Sequence, residues 1–208
     1  MSELKIYDVS MEISEDMIVY KNKQEKKPKL TVAKDYSASD SYESIIAMGM
    51  HTGTHIDAPL HMLEGGETID SIALENLIRS CKVLDLTYVV DKITKEVLEE
   101  REILKGDFIL FKTKNSFAKE FDFQFIYLEK SGAEYLKDIG VTGVGIDALG
   151  IERDQPSHET HKILLGHGII IIEGLKLNKV EEGEYTLYAP PLKIRNVEAA
   201  PARVILID

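Results

Sequence analysis

Short apolar runs, separated by glycine, proline and charged residues, dominate the hydrophobic pattern of this 208-residue chain. Runs of this length that alternate with polar residues, or are bounded by turn residues, predict strands rather than helices. Strands are therefore expected at residues 5–9, 30–33, 42–50, 82–88, 108–112, 141–146, 169–173, 185–188 and 203–207.

Four segments carry helix signals. Asp70 or Ser71 can cap a short helix through about residue 78, and Thr94 can cap one through about residue 104. The run Ser131-Gly-Ala-Glu134 has the form of a capping box, and Gly140 would end that helix. The fourth helix is expected at 156–165, before Gly166.

Strands alternate with helices from about residue 70 to 173, whereas both ends of the chain are rich in strands. This order predicts a single α/β domain over residues 1–208, with a mixed, partly parallel sheet and additional β structure. The strand 42–50 would end at His51 and so offer that side chain from a rigid position.

Composition and charge narrow the possible partners. The chain is 44% hydrophobic and 29% charged, with a net charge of -11, so no basic field would attract nucleic acid. The lysine-rich segment 21–29 is short and contains Glu25, which favours a solvated loop. The longest apolar run of the whole chain, 169–172, is too short to span a membrane.

Cysteine usage and the N-terminal segment favour a cytoplasmic location. Cys81 is the sole cysteine, so no internal disulfide can form, as is usual in a reducing compartment. It precedes the apolar pair Val83-Leu84, which favours an inert, semi-buried thiol. The N-terminal segment has no long apolar stretch, so no signal peptide is expected.

The densest group of chemically active side chains is the run His51-Thr-Gly-Thr-His55-Ile-Asp57-Ala-Pro-Leu-His61, which holds half of the six histidines. Imidazole and carboxylate together bind zinc, manganese or iron(II). Gly53 and Pro59 disfavour a helix, so a loop or a short extended segment is expected. In an extended segment, His55 and Asp57 would point to the same side.

Outside this run, His161 and Glu173 are also of the ligand type. Glu173 follows four isoleucines, and a buried carboxylate there would need a cation or hydrogen bonds; alternatively it begins a solvent-facing loop. His158 and His167 are rival histidines, the latter placed to serve a helix C-terminus. Asp147, at the end of a predicted strand, could cap or line a pocket.

The run from His51 to His61 resembles the signature His-x-Gly-Thr-His-x-Asp-x-Pro-x-His of the putative cyclase family, which includes bacterial kynurenine formamidase (arylformamidase) and isatin hydrolase. Every fixed position is present. The resemblance extends to Asp8-Val-Ser10, Gly145-Ile-Asp147, Glu173-Gly-Leu and the segment 185–191. It implies a swivelling β/β/α domain that forms a homodimer or a higher homo-oligomer.

Carried over by position, the resemblance implies two divalent metal ions per subunit, zinc with manganese as the alternative. The first would be held by His51, His55 and Asp57. Asp57 would bridge to the second, held also by His161 and Glu173. His61 would act as general acid and base while a metal-activated water hydrolyses a small aryl formamide or cyclic amide.

The segment after Tyr20 departs from the family pattern. Kynurenine formamidases carry a tryptophan near this position, followed by a Pro-Gly-Asp turn, whereas this chain has no tryptophan and has Lys21-Asn-Lys23 there. Tyr20 is the predicted substrate-binding residue, because its ring can stack on an aryl group. The substrate pocket is therefore expected to differ from that of the formamidases.

Two other functions compete with hydrolysis. In a mononuclear iron(II) oxygenase, His55, Asp57 and a distant histidine would form a facial triad. This alternative leaves His51, His61 and Glu173 unexplained. A non-catalytic structural zinc site would be closed by four ligands that usually include cysteine, and no cysteine lies near the motif.

Overall fold

Nine strands of the computed structural model, which describes residues 4–208, join in one large mixed sheet. Residues 4–208 contain thirteen strands in all: β1 (Ile6–Asp8), β2 (Lys29–Lys34), β3 (Glu43–Ala47), β4 (His55–Asp57), β5 (Ile78–Asp85), β6 (Lys92–Ile93), β7 (Phe108–Lys112), β8 (Tyr127–Leu128), β9 (Gly143–Ile146), β10 (Ile170–Glu173), β11 (Gly183–Tyr188), β12 (Ala199–Pro201) and β13 (Ile205–Ile207). The α-helices are α1 (Lys95–Glu99), α2 (Lys130–Ile139) and α3 (Glu159–Gly166).

The large sheet has the order β1-β13-β11-β5-β7-β9-β10-β4-β12. Its centre, β5-β7-β9-β10, is parallel, and the strands on either side are antiparallel. Strands β2 and β3 form a separate antiparallel hairpin, and β6 and β8 form a short parallel pair. The α/β class and the mixed, partly parallel sheet are thus confirmed.

Two apolar clusters lie on opposite faces of this sheet. Alternate residues of β7 separate between them, because successive side chains of a strand point to opposite faces: Ile109 and Phe111 join one cluster, Phe108 and Leu110 the other. The first cluster also takes the buried side chains of α1, α2 and α3. The second cluster contains side chains from strands across almost the whole sheet, from β13 near one edge to β12 at the other, so the sheet curls around it.

One predicted helix is absent. Residues 70–78 form two 3-10 turns, Ile69–Ser71 and Leu74–Asn76, and Ile78 already begins β5. The prediction was wrong because the carboxylate of Asp70 accepts hydrogen bonds from the Thr68 hydroxyl and the distant Asn196 amide instead of capping a helix. Strand β5 then pairs with β11 from Ile78 onward. Partners distant in sequence therefore outweigh the local capping signal at Asp70.

Two helix boundaries also differ from the prediction. Helix α1 ends at Glu99, well before residue 104, and the chain then turns so that Ile103 is buried in the helix-side cluster. Helix α2 begins at Lys130, and the carboxylate of Glu129, rather than Ser131, accepts the capping hydrogen bond. Its end at Gly140, with a left-handed φ of 85°, is as predicted.

The strand expected at 42–50 ends at Ala47 and belongs to the separate hairpin. His51 therefore does not extend from a strand end but lies in the turn before β4, which corrects the expectation drawn from the pattern. In residues 4–208, no helix combines the length and the apolar character needed to cross a membrane.

Candidate metal centre

Strand pairing brings two distant parts of the chain together. Strand β4 lies between β10 and β12, and its antiparallel register with β10 sets Glu173 directly opposite His55. Side chains opposite each other in a pair share a face, and Asp57, two residues along β4, shares it too. The extended segment predicted for the motif is confirmed, with His55 and Asp57 on one side.

Two glycines allow this crossing to be close. Gly174 has a φ of 72°, and a Cβ there would lie 2.5 Å from the carbonyl oxygen of Gly53. Gly53 has a φ of 68°, and its Cβ would meet the side chain of Ile13 at 2.8 Å. The hydroxyl of Thr54 donates a 2.6 Å hydrogen bond to the carbonyl of Gly174, which fastens Glu173 beside the motif.

Helix α3 supplies His161, which is buried beside the two strands. Its Nε2 lies 3.3 Å from Oε1 of Glu173 and 3.7 Å from Oδ2 of Asp57. Nε2 of His55 lies 3.3 Å from the other oxygen of Glu173. Glu173 thus stands between two imidazoles that face it from opposite sides.

The two oxygens of Asp57 face different histidines. Oδ1 lies 3.0 Å from Nδ1 of His51 and 3.5 Å from Nε2 of His55, whereas Oδ2 faces His161. The carboxylate is buried, yet neither oxygen accepts a hydrogen bond of normal geometry. Burial of a carboxylate without such hydrogen bonds is energetically costly unless a cation compensates its charge.

His61 lies in the 3-10 turn Pro59–His61 and borders the same cluster. Its ring centroid is 4.2 Å from that of His51 and 5.4 Å from that of His161. His51, Asp57 and His61 each place a ligand-type atom within 4.8 Å of the others, as do His55, Asp57 and Glu173. The structure therefore brings all six of these predicted residues together; their individual roles stay predictions.

The electrostatics of the cluster favour positive charge. Burial lowers the pKa of His55, but the nearby carboxylates of Asp57 and Glu173 outweigh it and raise that pKa to about 10. The pKa of His161 also rises to about 10, with Glu152 and Glu173 outweighing burial. Burial raises the pKa of Glu173, yet the neighbouring histidines bring it down to about 2.

These residues fit a divalent metal. The carboxylates attract a cation, and a metal ion supplies that charge while leaving the imidazoles neutral and free to coordinate. The donors are nitrogen and oxygen without sulfur, which suits zinc, manganese or iron(II). Because the oxygens of Asp57 face opposite groups of histidines, the carboxylate can serve an ion on each side.

Comparison with known proteins identifies the family. The family model described as putative cyclase matches residues 7–153. The chain belongs to the putative cyclase family. A kynurenine formamidase from Salinibacter ruber is 29% identical over 99% of this chain and 98% of its own length. Cyclase-like protein 3 from Arabidopsis thaliana is 35% identical, covering 99% of this chain and 80% of its own.

A solved structure gives the same assignment. A potential metal-dependent hydrolase with cyclase activity is 54% identical, with a TM-score of 0.94, over 99% of this chain and 98% of its own. The cyclase-family protein described here is accordingly a metal-dependent hydrolase, and its single α/β domain matches the fold of that structure. A non-catalytic zinc domain does not agree with it.

Each candidate ligand histidine is held through its second ring nitrogen. Nδ1 of His55 donates a 2.9 Å hydrogen bond to the carbonyl of Gly53, and Nε2 of His51 lies 3.4 Å from Glu198. Nδ1 of His161 bonds to the buried carboxylate of Glu152. Such outer acceptors fix the tautomer and orientation of a ligating imidazole.

Sequence reasoning missed Glu152 and Glu198. Glu152 begins the charged run Glu152-Arg153-Asp154, which is typical of a solvent-facing loop, and Glu198 is an isolated carboxylate before two alanines. Neither has a local pattern that marks it. Only the packing of α3 and the pairing of β12 with β4 bring them to the histidines.

Replacement of Glu152 by glutamine is expected to weaken metal binding about 10- to 100-fold, the usual cost of losing an outer acceptor of a ligating histidine. The carboxylate also accepts a 3.1 Å hydrogen bond from the amide of Thr160 and a 2.8 Å bond from Gln155. Competition of the protein with a chromophoric chelator would measure the change.

Glu159→Gln is the matched control, because Glu159 lies on α3 with His161 but pairs with Lys130 instead of a histidine. Its metal affinity should equal that of the unchanged protein. Equal affinities in Glu152→Gln and Glu159→Gln would show that Glu152 does not position His161 for a metal.

A cleft of about 380 Å³ opens from the metal centre to solvent. His51, His61, His161 and Glu173 line its inner part, and Tyr20 lines its outer part. The Tyr20 ring is half-buried and packs edge to face against Phe121, with 5.3 Å between centroids. The structure thus places the predicted substrate-binding residue in the same cleft as the candidate ligands.

The rival histidines differ in their contacts. His158 is exposed and lines the cleft, and with Glu152 and His161 it forms a further group whose ligand-type atoms lie within 4.8 Å of one another. Nδ1 of His167 donates a 2.8 Å hydrogen bond to the carbonyl of Ile163 at the end of α3, in agreement with a helix C-terminal role. Cys81 is buried in β5, and burial raises the pKa of its thiol to about 12, as expected of an inert side chain.

Asp147 organises a turn instead of the metal centre. Its buried carboxylate accepts hydrogen bonds from the amides of Thr113 and Ser116, at 2.7 and 3.0 Å, and from both hydroxyls. Burial nevertheless raises its pKa, because no cation lies among these donors. The capping role predicted for Asp147 agrees with these hydrogen bonds, and the residue also borders a cavity beside Phe121 and Phe125.

Proposed function

We propose that this protein hydrolyses a small amide, of the aryl formamide or cyclic amide class, with two divalent metal ions in each subunit. The observation that carries the proposal is Asp57: a fully buried carboxylate whose two oxygens accept no hydrogen bond of normal geometry and face separate groups of histidines. The kynurenine formamidase relative, similar over nearly its whole length, supports an amide as the substrate.

The candidate ligands divide into two groups around Asp57. His51 and His55 face Oδ1, and His161 faces Oδ2 together with Glu173. Zinc or manganese held there would lower the pKa of water and polarise a carbonyl oxygen. His55, Glu173 and Asp57 are buried, so the groups that would hold the ions are shielded from competing water.

His61 is the group placed to move protons. Its imidazole borders the cluster and lines the cleft, and burial lowers its pKa, so the neutral base is present near neutrality. A neutral imidazole accepts the proton of the attacking water and returns it to the nitrogen of the leaving amine. No serine or cysteine nucleophile is required.

Metal analysis coupled to an amide screen tests the proposal. Protein stripped with a chelator should not hydrolyse formanilides or cyclic amides, and zinc or manganese should restore turnover. At a metal concentration of about 100 times Kd, bound metal adds about 2.7 kcal/mol to the free energy of unfolding. That increment should raise Tm by about 5–10 °C in a domain of this size.

Two outcomes would contradict it. Metal that binds and raises Tm without hydrolysis of any amide, ester or lactam would indicate a different reaction. Turnover that requires oxygen would favour the iron(II) oxygenase; full activity without oxygen would exclude it. The oxygenase alternative also leaves the contacts of His51 and Glu173 with the cluster unexplained.

We also propose that the protein forms a homodimer or a higher homo-oligomer through the β2–β3 hairpin. Leu30 lies opposite Ile46 in this hairpin, and Val32 is two residues along on the same face. All three are about half exposed, at 47%, 50% and 50%. A two-stranded hairpin is marginally stable alone, so an apolar face of this kind favours burial against a second copy.

Val32→Glu is expected to shift the assembly to monomers, because a charge would be buried in the interface. Light scattering after size exclusion would measure the mass. Thr31→Glu is the matched control, since Thr31 lies on the opposite face of the same strand. An unchanged mass in Val32→Glu, or an equal loss in both variants, would argue against this interface.

A further inference from the structure

The cleft wall beside His161 carries a second group of metal-type ligands. Glu152 and His158 line the cleft together with His161, and the three residues place ligand-type atoms within 4.8 Å of one another. We propose that Glu152 and His158 bind a further divalent ion, such as zinc, and that this ion suppresses turnover when zinc is in excess. The existence of the site does not depend on the proposed amide hydrolysis, but its effect on turnover does.

The Glu152 carboxylate keeps one acceptor position for an ion. An ionised carboxylate has about four lone pairs. Oε2 accepts hydrogen bonds from the Gln155 side chain and the Thr160 amide, at 2.8 and 3.1 Å, and Oε1 accepts one from Nδ1 of His161. Nδ1 of His158 lies 3.3 Å from the same Oε1. The carboxylate can therefore hold His161 and still coordinate an ion beside His158.

The distance between the two donor atoms matches that between two ligands of one zinc ion. Zinc bonds to imidazole nitrogen and carboxylate oxygen are about 2.1 Å long, so two such ligands at the tetrahedral angle lie about 3.4 Å apart. Nδ1 of His158 and Oε1 of Glu152 are 3.3 Å apart. A zinc ion can thus bind both atoms with little movement of either side chain.

Backbone geometry holds His158 at this wall. Ser157 and His158 both have a left-handed φ, of 61° and 54°, and Asp154 has one of 52°. Non-glycine residues in this region cost free energy and cluster at ligand sites. Helix α3 follows directly, and its residues Thr160 and His161 are buried, which anchors the turn. The His158 imidazole is therefore presented by a defined turn and not by a free loop.

The site is open to solvent on one side. The Glu152 carboxylate is buried, whereas the side chain of His158 is 62% exposed. Water from the cleft can therefore complete the coordination of an ion that has two protein ligands. An ion at this position would exchange with solvent much more readily than one held by the buried side chains of His55 and Asp57.

Charge around the cleft sets a moderate affinity. The net charge of -11 attracts cations at long range, and Asp154 lines the cleft wall. Lys21 and Lys26, from the largely exposed segment 21–29, also line the cleft and oppose a cation. Zinc is therefore expected to fill this site only after the buried centre around Asp57 is occupied.

An ion on this wall would interfere with hydrolysis in two ways. It would compete with the His161 imidazole for the Glu152 carboxylate, which fixes the tautomer of that candidate ligand. It would also occupy part of the cleft that leads to His61 and Glu173. Excess zinc is therefore expected to lower kcat through the first effect and to raise KM through the second.

Zinc uptake by the metal-loaded protein tests the site directly. Equilibrium dialysis against buffered free zinc, followed by mass spectrometry, counts the ions per subunit. The unchanged protein should take up one zinc more than His158→Asn once the buried centre is full. Asparagine tolerates a left-handed φ, so the turn should persist while the imidazole is lost. The variant should need at least about tenfold more free zinc for the same uptake, since loss of even an outer group costs that much.

Two further variants separate this site from non-specific zinc binding. His167→Asn removes an exposed histidine from the other end of α3 and should keep the additional ion. His158→Asp supplies a carboxylate in place of the imidazole, tolerates the same φ and should restore uptake. Turnover of formanilide, relative to each variant's own rate without added zinc, should fall with the additional zinc in all of these proteins except His158→Asn.

Failure of the site is distinguishable from failure of the proposed reaction. Equal zinc counts in the unchanged protein and His158→Asn would overturn the site, whatever the turnover. An additional ion that leaves turnover unchanged would overturn the inhibition. If no amide is hydrolysed at all, the proposed reaction fails, and the zinc count alone decides for or against the site.

Discussion

Asp57→Asn is expected to reduce hydrolysis by about a thousandfold or more and to lower the bound metal sharply. Polarisation by a metal ion contributes several kcal/mol to the transition state, and about 1.4 kcal/mol corresponds to tenfold in rate. An asparagine presents one oxygen and an NH2 group, so it cannot serve ions on both sides. Depending on its orientation, the NH2 group would replace either the oxygen that faces His51 and His55 or the oxygen that faces His161.

Metal content by mass spectrometry of the purified variant, together with turnover of an activating substrate, would measure both effects. Glu64→Gln is the control, because Glu64 is an exposed carboxylate just after the motif and should keep full metal and activity. Circular dichroism would verify that both variants fold. A folded Asp57→Asn protein with normal metal content and turnover would disprove the bridging role.

His61→Asn is expected to lower kcat about a hundredfold or more, the size of a general acid–base contribution, while bound metal is retained. His61 shares the cluster of His51 and Asp57 but contributes from a 3-10 turn at its border, not from β4. An amide side chain occupies a similar space and forms hydrogen bonds, but it does not accept and return a proton near neutrality.

The metal measurement decides between two roles for His61. Loss of an ion together with activity would make it a ligand instead of a proton carrier, which its distance from His51 also allows. Unchanged turnover would remove it from the mechanism. His167→Asn, at the exposed end of α3, should leave both metal and kcat unchanged, because that histidine contacts only the helix end.

Much of the centre of the fold follows from local pattern. The apolar runs at 108–112 and 169–173 form buried central strands, because their side chains are apolar on both faces and a covered parallel sheet requires that. The pattern fails at 70–78, where capping residues suggest a helix but the chain forms two 3-10 turns and then enters β5, which pairs with β11. Pairing partners so far apart in sequence leave no local trace.

The chemistry of the site was determined by the sequence itself. The spacing of His51, His55, Asp57 and His61 already combines metal-binding side chains with residues that exclude a helix, since Gly53 and Pro59 act through backbone geometry alone. Only the tertiary structure decided what surrounds that motif. The β4–β10 register sets Glu173 opposite His55, Glu152 and Glu198 reach the outer nitrogens, and Lys21 and Lys26 face the cleft. These positions depend on contacts between segments distant in the chain, which local residue patterns do not encode.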